Sequence, residues 1–210
     1  ESRKPKIVLW IYYEGNDLRN LKAEKSVPLL MRYLHSDFSQ KLIHRQTEIN
    51  NRLEKYIDES EARIQEHLLA KDKRDEFFWN TRVLRLYNIR QRIGFDKRGG
   101  AVDIDPLFAE VLTQARDRVE RWGGKLYFIY LPTWSRYANY IQNHDIYIKR
   151  GEVIELAKKL NLPVIDIHEE LFMDHPDPLS LFPFRNLPHY KAEGYHEIAK
   201  VIVSRIKDGR

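Results

Sequence analysis

The chain contains no cysteine, and this absence excludes several kinds of function. Without a thiol the protein has no structural disulfide, no thiolate zinc site and no cysteine nucleophile. The sequence also lacks any apolar run close to the ~20 residues that cross a bilayer, so we expect no transmembrane helix in it. No segment has the pattern of a signal peptide. The compartment stays open, because periplasmic proteins also often lack cysteine.

A strong excess of one charge is absent as well. The 210 residues include 36 Lys and Arg against 31 Asp and Glu, which gives a formal net charge of +5. This balance does not argue for a nucleic-acid partner, and we expect none. Four arginines make one predicted helix basic: Arg82, Arg85, Arg90 and Arg92. A solvated helix face is favoured there over a surface for an anionic polysaccharide, a lipid head group or nucleic acid.

What is present is typical of a folded domain. The hydrophobic fraction is 42% and the aromatic fraction 12%, and 210 residues are enough for a buried core. The chain does not begin with Met, and residues 1–5 lead directly into an apolar segment. We therefore expect it to belong to a longer protein. For that parent protein the sequence leaves open an extracytoplasmic or membrane-anchored location, proximity to a membrane and the oligomeric state.

Three short segments rich in β-branched and aromatic residues predict buried parallel strands. They are residues 6–13, 125–131 and 162–167. Amphipathic segments alternate with them, and we expect helices over about 105–122, 149–160 and 191–206. The first of these helices has Asp105 as its N-cap and Pro106 at its first position. Strands that alternate with helices predict an α/β fold, a three-layer parallel sheet flanked by helices.

Residues 36–98 follow a different pattern. Apolar residues recur there at multiples of three and four, first up to about residue 70 and again from Phe77 to Ile93. We interpret the region as a helical-hairpin insertion within a single domain that covers residues 1–210. Its length and position lead to the hypothesis that it serves as a lid or as a docking surface for a partner.

Two loops carry the residues that point to chemistry. The first covers residues 13–17, Tyr-Glu-Gly-Asn-Asp, and follows the first predicted strand. The second ends at His189 and leads into the last predicted helix, where Gly194 and Tyr195 follow. In this order and on these elements, the loops resemble the Gly-x-Asn-Asp block and the C-terminal His block of the SGNH (GDSL-type) hydrolase superfamily.

The resemblance implies a serine esterase or acyl hydrolase that acts on an ester or an O-acetyl group. Asn16 would donate a hydrogen bond to the oxyanion, Gly15 and Asp17 would support its loop, and His189 would be the general base. Asn186 stands where the family has an Asp, and it would orient the imidazole without supplying a charge. The resemblance implies no cofactor and no metal. The expected partner is a small ester or an acylated carbohydrate.

Two blocks of the family do not occur in this sequence. There is no Gly-Asp-Ser segment, so the chain offers no candidate nucleophile, and the resemblance places that serine and the first strand before Glu1. The second block, a Gly whose N–H faces the oxyanion, is not visible either. The resemblance covers residues 6–13, 105–167 and 186–206. The rival interpretation is a catalytically degenerate SGNH-like module that binds a glycan or a protein, and Asn186 favours it.

Other candidates are weaker. Five residues form a dense group of potential metal ligands: Asp166, His168, Asp174, His175 and Asp177. Their spacing matches no zinc or calcium pattern, so we interpret them as a solvated loop. Ser135 follows the second strand, but no base can be placed beside it from sequence. Trp134 and Tyr137 are predicted to pack in the core in preference to stacking on a sugar or acyl group.

Overall fold

The computed structural model describes residues 4–35, 37–61, 63–64, 103–138 and 145–209. Contacts between residues divide the chain into two compact units. One unit comprises Glu1–Leu34 together with Lys97–Arg210, and the other comprises His35–Asp96. The candidate functional residues all belong to the first unit.

The first unit is an α/β structure built on a parallel sheet, as the sequence predicts. Its strands are β1 (Ile7–Tyr13), β2 (Lys125–Leu131) and β3 (Val164–Asp166), in the order β1-β2-β3. Within the described residues the sheet has three strands, and all of its pairs are parallel. Because parallel strands run in the same direction, the carboxyl ends of all three strands lie at the same end of the sheet, which we call its carboxyl edge.

The helices are α1 (Asp17–Glu24), α2 (Pro28–Met31), α3 (residues 46–61), α4 (Pro106–Glu120), α5 (Asp145–Lys159) and α6 (Ala192–Asp208). The predicted cap of α4 is confirmed, because an Asp105 carboxylate oxygen accepts a hydrogen bond from the backbone N–H of Leu107 at 3.0 Å. Helices α1 and α2 were not predicted, since their apolar residues are too few to make a clear helical period. Strand β3 is shorter than the predicted 162–167, and a π-helical turn, His168–Phe172, begins shortly after it.

Helices cover both faces of the sheet. On one face Tyr127 and Ile129 pack in a core that includes Ile198 and Ile202 of α6. On the other face Phe128 packs in a second core with residues of α4 and α5. Alternate residues of β2 thus pack in opposite cores, which explains why the strand is apolar without interruption from Leu126 to Leu131.

The second unit is described in part. Residues 46–61 and 63–64 are helical, and apolar side chains such as Leu53, Tyr56 and Ile64 are exposed among the described residues. The predicted second helix, from Phe77 to Ile93, and the four arginines on it lie outside the described residues. The hairpin insertion over 36–98 therefore stays a prediction.

In the described part of the chain, no helix is both long enough and apolar enough to cross a membrane.

Candidate functional site

The carboxyl edge of the sheet gathers three loops. Strand β1 continues into residues 14–17, β2 into residues 132–138 and β3 into His168. Sites in open parallel sheets are built at this edge, because the loops that leave neighbouring strands meet there. The segment before α6, which carries His189, reaches the same edge through a contact with Tyr13.

Gly15 is the residue of the first loop whose identity is most constrained. A Cβ atom added at this position would lie 2.4 Å from a ring carbon of Tyr13. Tyr13 is buried, with 9% of its surface exposed, so its ring is not free to move away. A glycine at position 15 therefore lets the backbone turn closely over the end of β1.

Asn16 occupies the N-cap position of α1 but does not cap the helix with its side chain. Its backbone carbonyl accepts from the N–H of Asn20 at 2.9 Å, while its half-buried side-chain amide has no hydrogen bond to a described residue. The amide N–H groups are thus not used by the described part of the fold. An amide in this state can donate to an external acceptor.

Asp17 acts within its own loop. One of its carboxylate oxygens accepts a hydrogen bond from the backbone N–H of Tyr13 at 2.8 Å, which closes the turn after β1. Burial raises the pKa of Asp17 above its ordinary value, and the hydrogen bond from Tyr13 opposes that shift. Asp17 thus holds the turn between the end of β1 and the start of α1.

His189 and the first loop meet through Tyr13. The backbone N–H of His189 donates to the Tyr13 hydroxyl at 3.3 Å, and the two rings stack with their centroids 4.9 Å apart and 27° between their planes. The Tyr13 hydroxyl in turn donates to Thr133 Oγ1 at 3.2 Å. Tyr13 therefore joins the three loops that follow β1, follow β2 and precede α6.

The imidazole of His189 is exposed, and its nitrogens have no hydrogen bond to a described residue. Asn186 is exposed too, and its backbone N–H donates to the Pro183 carbonyl at 3.3 Å. Its side chain makes no hydrogen bond with His189 among the described contacts. The structure brings His189 against Tyr13 at the end of β1, but it does not bring the Asn186 side chain onto the imidazole.

The segment before α6 has an unusual backbone. Phe184, Arg185 and His189 all adopt positive φ angles of 50°, 63° and 67°. The left-handed region costs a residue with a Cβ roughly 1–2 kcal/mol. Strained backbone conformations cluster at functional sites, so these angles favour a functional role for the segment that carries His189.

A buried acid, Glu14, lies at the centre of the same edge. Its carboxylate accepts from the Tyr130 hydroxyl at 2.6 Å, from the Thr133 backbone N–H at 2.9 Å and from Arg136 Nε at 3.1 Å, with a further contact to Arg136 Nη2. The Glu14 side chain is 1% exposed and that of Arg136 is 13% exposed. A buried carboxylate with this set of donors is fully compensated, so it fixes the β2 loop against the end of β1.

A second polar network extends from the β2 loop to β3. The Tyr137 hydroxyl and His168 Nδ1 are 2.9 Å apart, and the His168 backbone N–H donates to Asp166 Oδ1 at 3.0 Å. Asp166 also pairs with Arg150 of α5. Burial, reinforced by the charges of Arg136 and Arg150, lowers the pKa of His168 to about 4. The His168 imidazole is therefore neutral at pH 7.

Sequence reasoning missed Glu14 and Arg136. The available signal was a single acidic residue directly after an apolar strand, since a charge at that position is costly unless a partner meets it. Its partner lies 122 positions away along the chain, which no local pattern indicates. Trp134 and Tyr137 pack against the core, as predicted, and Tyr137 also contributes the hydroxyl that meets His168.

The dense group of acids and histidines is not assembled into a metal site. No group of three or more metal-ligating side chains occurs within the described ranges. Asp177 instead forms a bidentate ion pair with Arg185, in which both nitrogen-to-oxygen distances are 2.7 Å. Ser135 lies in the short helical turn Trp134–Arg136.

The chain matches no protein-family model, no curated protein and no solved structure.

Proposed function

We propose that this chain carries part of the active site of an SGNH-type serine acyl hydrolase, which cleaves a small ester or an O-acetyl group on a carbohydrate. His189 is the general base and Asn16 is an oxyanion donor. The observation that carries the proposal is the Tyr13 contact, since it holds the His189 segment against the strand that ends in the Gly15–Asp17 loop.

In the proposed reaction a serine hydroxyl attacks the ester carbonyl while His189 takes its proton. The negative oxygen that develops accepts a hydrogen bond from the Asn16 amide. Protonated His189 then returns the proton to the leaving alcohol, and water releases the acyl group by the same two steps in sequence. Removal of one oxyanion donor commonly lowers the rate by about 10²–10³.

The serine must come from a residue at the same edge of the sheet. Among the described strands, β1 pairs with β2 alone. The side of β1 that faces away from β2 is therefore open to a further strand. A further strand that pairs with β1 in parallel would end beside Asn16. The resemblance to the SGNH family supports this placement, because in that family the nucleophile lies on a strand that precedes the Gly-x-Asn-Asp block.

The test is ester hydrolysis by the gene product that contains this chain, with a short-chain nitrophenyl ester as substrate. His189→Ala should abolish hydrolysis of the nitrophenyl ester, and Asn16→Ala should lower kcat by about 10²–10³. His196→Ala and Asn51→Ala are matched controls, because both residues are exposed and lie outside the proposed site. Wild-type turnover in both site variants would refute the assignment.

A binding module is the second candidate, and the environment of His189 favours it. No described carboxylate meets the His189 imidazole, and Asn186 supplies no charge. Such a module should bind an acetylated oligosaccharide with the same affinity before and after His189→Ala, while releasing no acetate. Acetate release that depends on His189 would exclude it.

A further inference from the structure

A groove of about 300 Å³ lies on the face of β1 that points away from His189. Trp10 lines the groove and packs against one core of the sheet, whereas Tyr13, whose ring stacks on His189, belongs to the core on the opposite face. Neither Asn16 nor His189 lines the groove. The groove is therefore separate from the proposed reacting groups, and its size is at the lower end of the range for small-molecule sites.

Helix α1 supplies this groove with hydrogen-bond acceptors. Asp17, Asn20 and Glu24 line it, and because they follow one another at intervals of three and four residues they share one face of the helix. The walls that come from β1, α2, α4 and the turn after α2 are apolar, and they include the rings of Trp10 and Phe108. A ligand that fits such a groove has one polar end and an apolar body.

The charge on the α1 wall is negative. Lys25 also lines the groove, but its ammonium group pairs with Asp105, at 2.8 Å between Nζ and Oδ2. The Glu24 carboxylate and the Asn20 side-chain amide have no partner among the described residues. Burial raises the pKa of Asp17, and the nearby charge of Glu24 also acts to raise it. The two carboxylates thus repel each other, and a cation in the groove would relieve that repulsion.

The aromatic lining favours the same sign of charge, because the face of a tryptophan ring attracts a cation. A primary ammonium group carries three N–H donors, and Asp17, Asn20 and Glu24 offer three acceptor groups on one wall. We propose that the groove binds a small primary amine in its cationic form, with the ammonium group on α1 and the apolar body against Trp10 and Phe108. This site does not depend on the proposed hydrolase.

The volume of the groove limits the size of the amine. A water molecule has a share of liquid volume of about 30 Å³, and a methylene group is similar in size, so a groove of about 300 Å³ holds about ten non-hydrogen atoms. Phenethylamine is within this limit and combines an aromatic body with one ammonium group. Phenethyl alcohol and hydrocinnamate have nearly the same shape, with a neutral and an anionic end.

The first experiment measures the affinity of the 210-residue chain for these three probes by isothermal titration calorimetry at pH 7. Phenethylamine should bind at least about tenfold more tightly than phenethyl alcohol, because a hydrogen bond between charged groups is stronger than a neutral one. Hydrocinnamate should bind most weakly, since the carboxylates of α1 repel it.

Two variants remove the negative charge one group at a time. Asp17→Asn keeps an oxygen that can accept from the Tyr13 N–H, and Glu24→Gln changes an exposed residue, so both should retain the fold, which circular dichroism checks. Each should weaken phenethylamine at least about fivefold and change the affinity for phenethyl alcohol less than about twofold. Glu155→Gln is the matched control, because Glu155 is exposed on α5 and does not line the groove.

The second experiment locates the bound amine by NMR of the tryptophan indole N–H groups. Phenethylamine should shift the Trp10 signal, which Trp10→Phe identifies by its loss. The Trp122 indole N–H should not move, since it donates to the Pro5 carbonyl at 3.0 Å and Trp122 does not line the groove.

The outcomes decide the assignment. A preference for phenethylamine that falls in both charge variants, together with the Trp10 shift, would establish the amine site. Equal affinity for the amine and the alcohol, full affinity for the amine in both folded charge variants, an unmoved Trp10 signal or no measurable binding of the amine would each overturn it.

Discussion

Replacement of the buried acid Glu14 by alanine is the most direct test of how this sheet edge is held together. Glu14 receives hydrogen bonds from the Tyr130 hydroxyl and from the Thr133 backbone N–H, and it pairs with Arg136. All of these groups belong to β2 or the loop that follows it, while Glu14 follows β1. Glu14→Ala therefore removes the acceptor shared by three donor groups on a neighbouring element.

The size of the effect follows from the burial of both charges. The exposed fractions of the Glu14 and Arg136 side chains are 1% and 13%, so both charged groups are largely removed from solvent. Removal of one member of a buried ion pair costs about 3–5 kcal/mol, because the other charge remains buried and uncompensated. We expect Glu14→Ala to lower the free energy of unfolding by at least about 3 kcal/mol.

The double variant distinguishes a buried charge from lost packing. If the cost comes from the loss of the charge pair, Glu14→Ala with Arg136→Ala should be less destabilised than the sum of the two single variants. Urea unfolding followed by circular dichroism measures these free energies. Hydrogen exchange of the Thr133 amide provides a local readout, since that N–H donates to Glu14 at 2.9 Å.

An exposed ion pair serves as the control. Glu197 pairs with Lys200 on the surface of α6 at 2.9 Å, and Glu197→Ala should change stability by less than about 1 kcal/mol. A loss of less than about 1 kcal/mol in Glu14→Ala, with purely additive single variants, would refute the reasoning.

Two further predictions concern the neighbouring loops. Phe184→Gly should stabilise the protein by up to about 1 kcal/mol in urea unfolding, because Phe184 is 85% exposed and has a φ of 50°. Leu187→Gly, at an exposed position without positive φ, should not stabilise, and an equal gain there would contradict the argument. The pKa of His168 is lowered to about 4 mainly by burial, whereas an unfolded histidine titrates near pH 6.5. The unfolded state therefore binds more protons between these values, so stability should fall as the pH drops from about 6.5 to about 4, and His168→Asn should flatten that dependence. An NMR titration of His168 with a midpoint near pH 6.5 would contradict it.

The strands and the three helices packed against the sheet were the predictable part of this fold, because each is encoded locally. The run at 126–131 sends alternate residues into two cores, so all six positions are aliphatic or aromatic. Asp105 and Pro106 mark the start of α4 through their own capping chemistry. Pro163 limits β3, since proline has no N–H for the ladder, and only its carbonyl accepts from Phe128.

Of the candidate site, only the loops that directly follow predicted strands could be located from the sequence. A parallel sheet sends the loop after each strand to the same edge, so residues 14–17 could be placed there from sequence. The contact between Tyr13 and His189 joins positions 176 apart, and the Glu14–Arg136 pair joins positions 122 apart. Such pairings depend on how the elements pack, and no local period or motif reports them.

The contact with Tyr13 positions His189 in a different way from the histidine of a Ser-His-Asp triad. In a Ser-His-Asp triad the carboxylate fixes the tautomer of the imidazole and stabilises the imidazolium. Here the position of His189 is set by its backbone N–H on the Tyr13 hydroxyl and by ring stacking, while no described carboxylate meets its nitrogens. Stacking fixes the plane of the ring but leaves the choice of tautomer open. A carboxylate within hydrogen-bond distance of either ring nitrogen would therefore fix the tautomer without moving the ring.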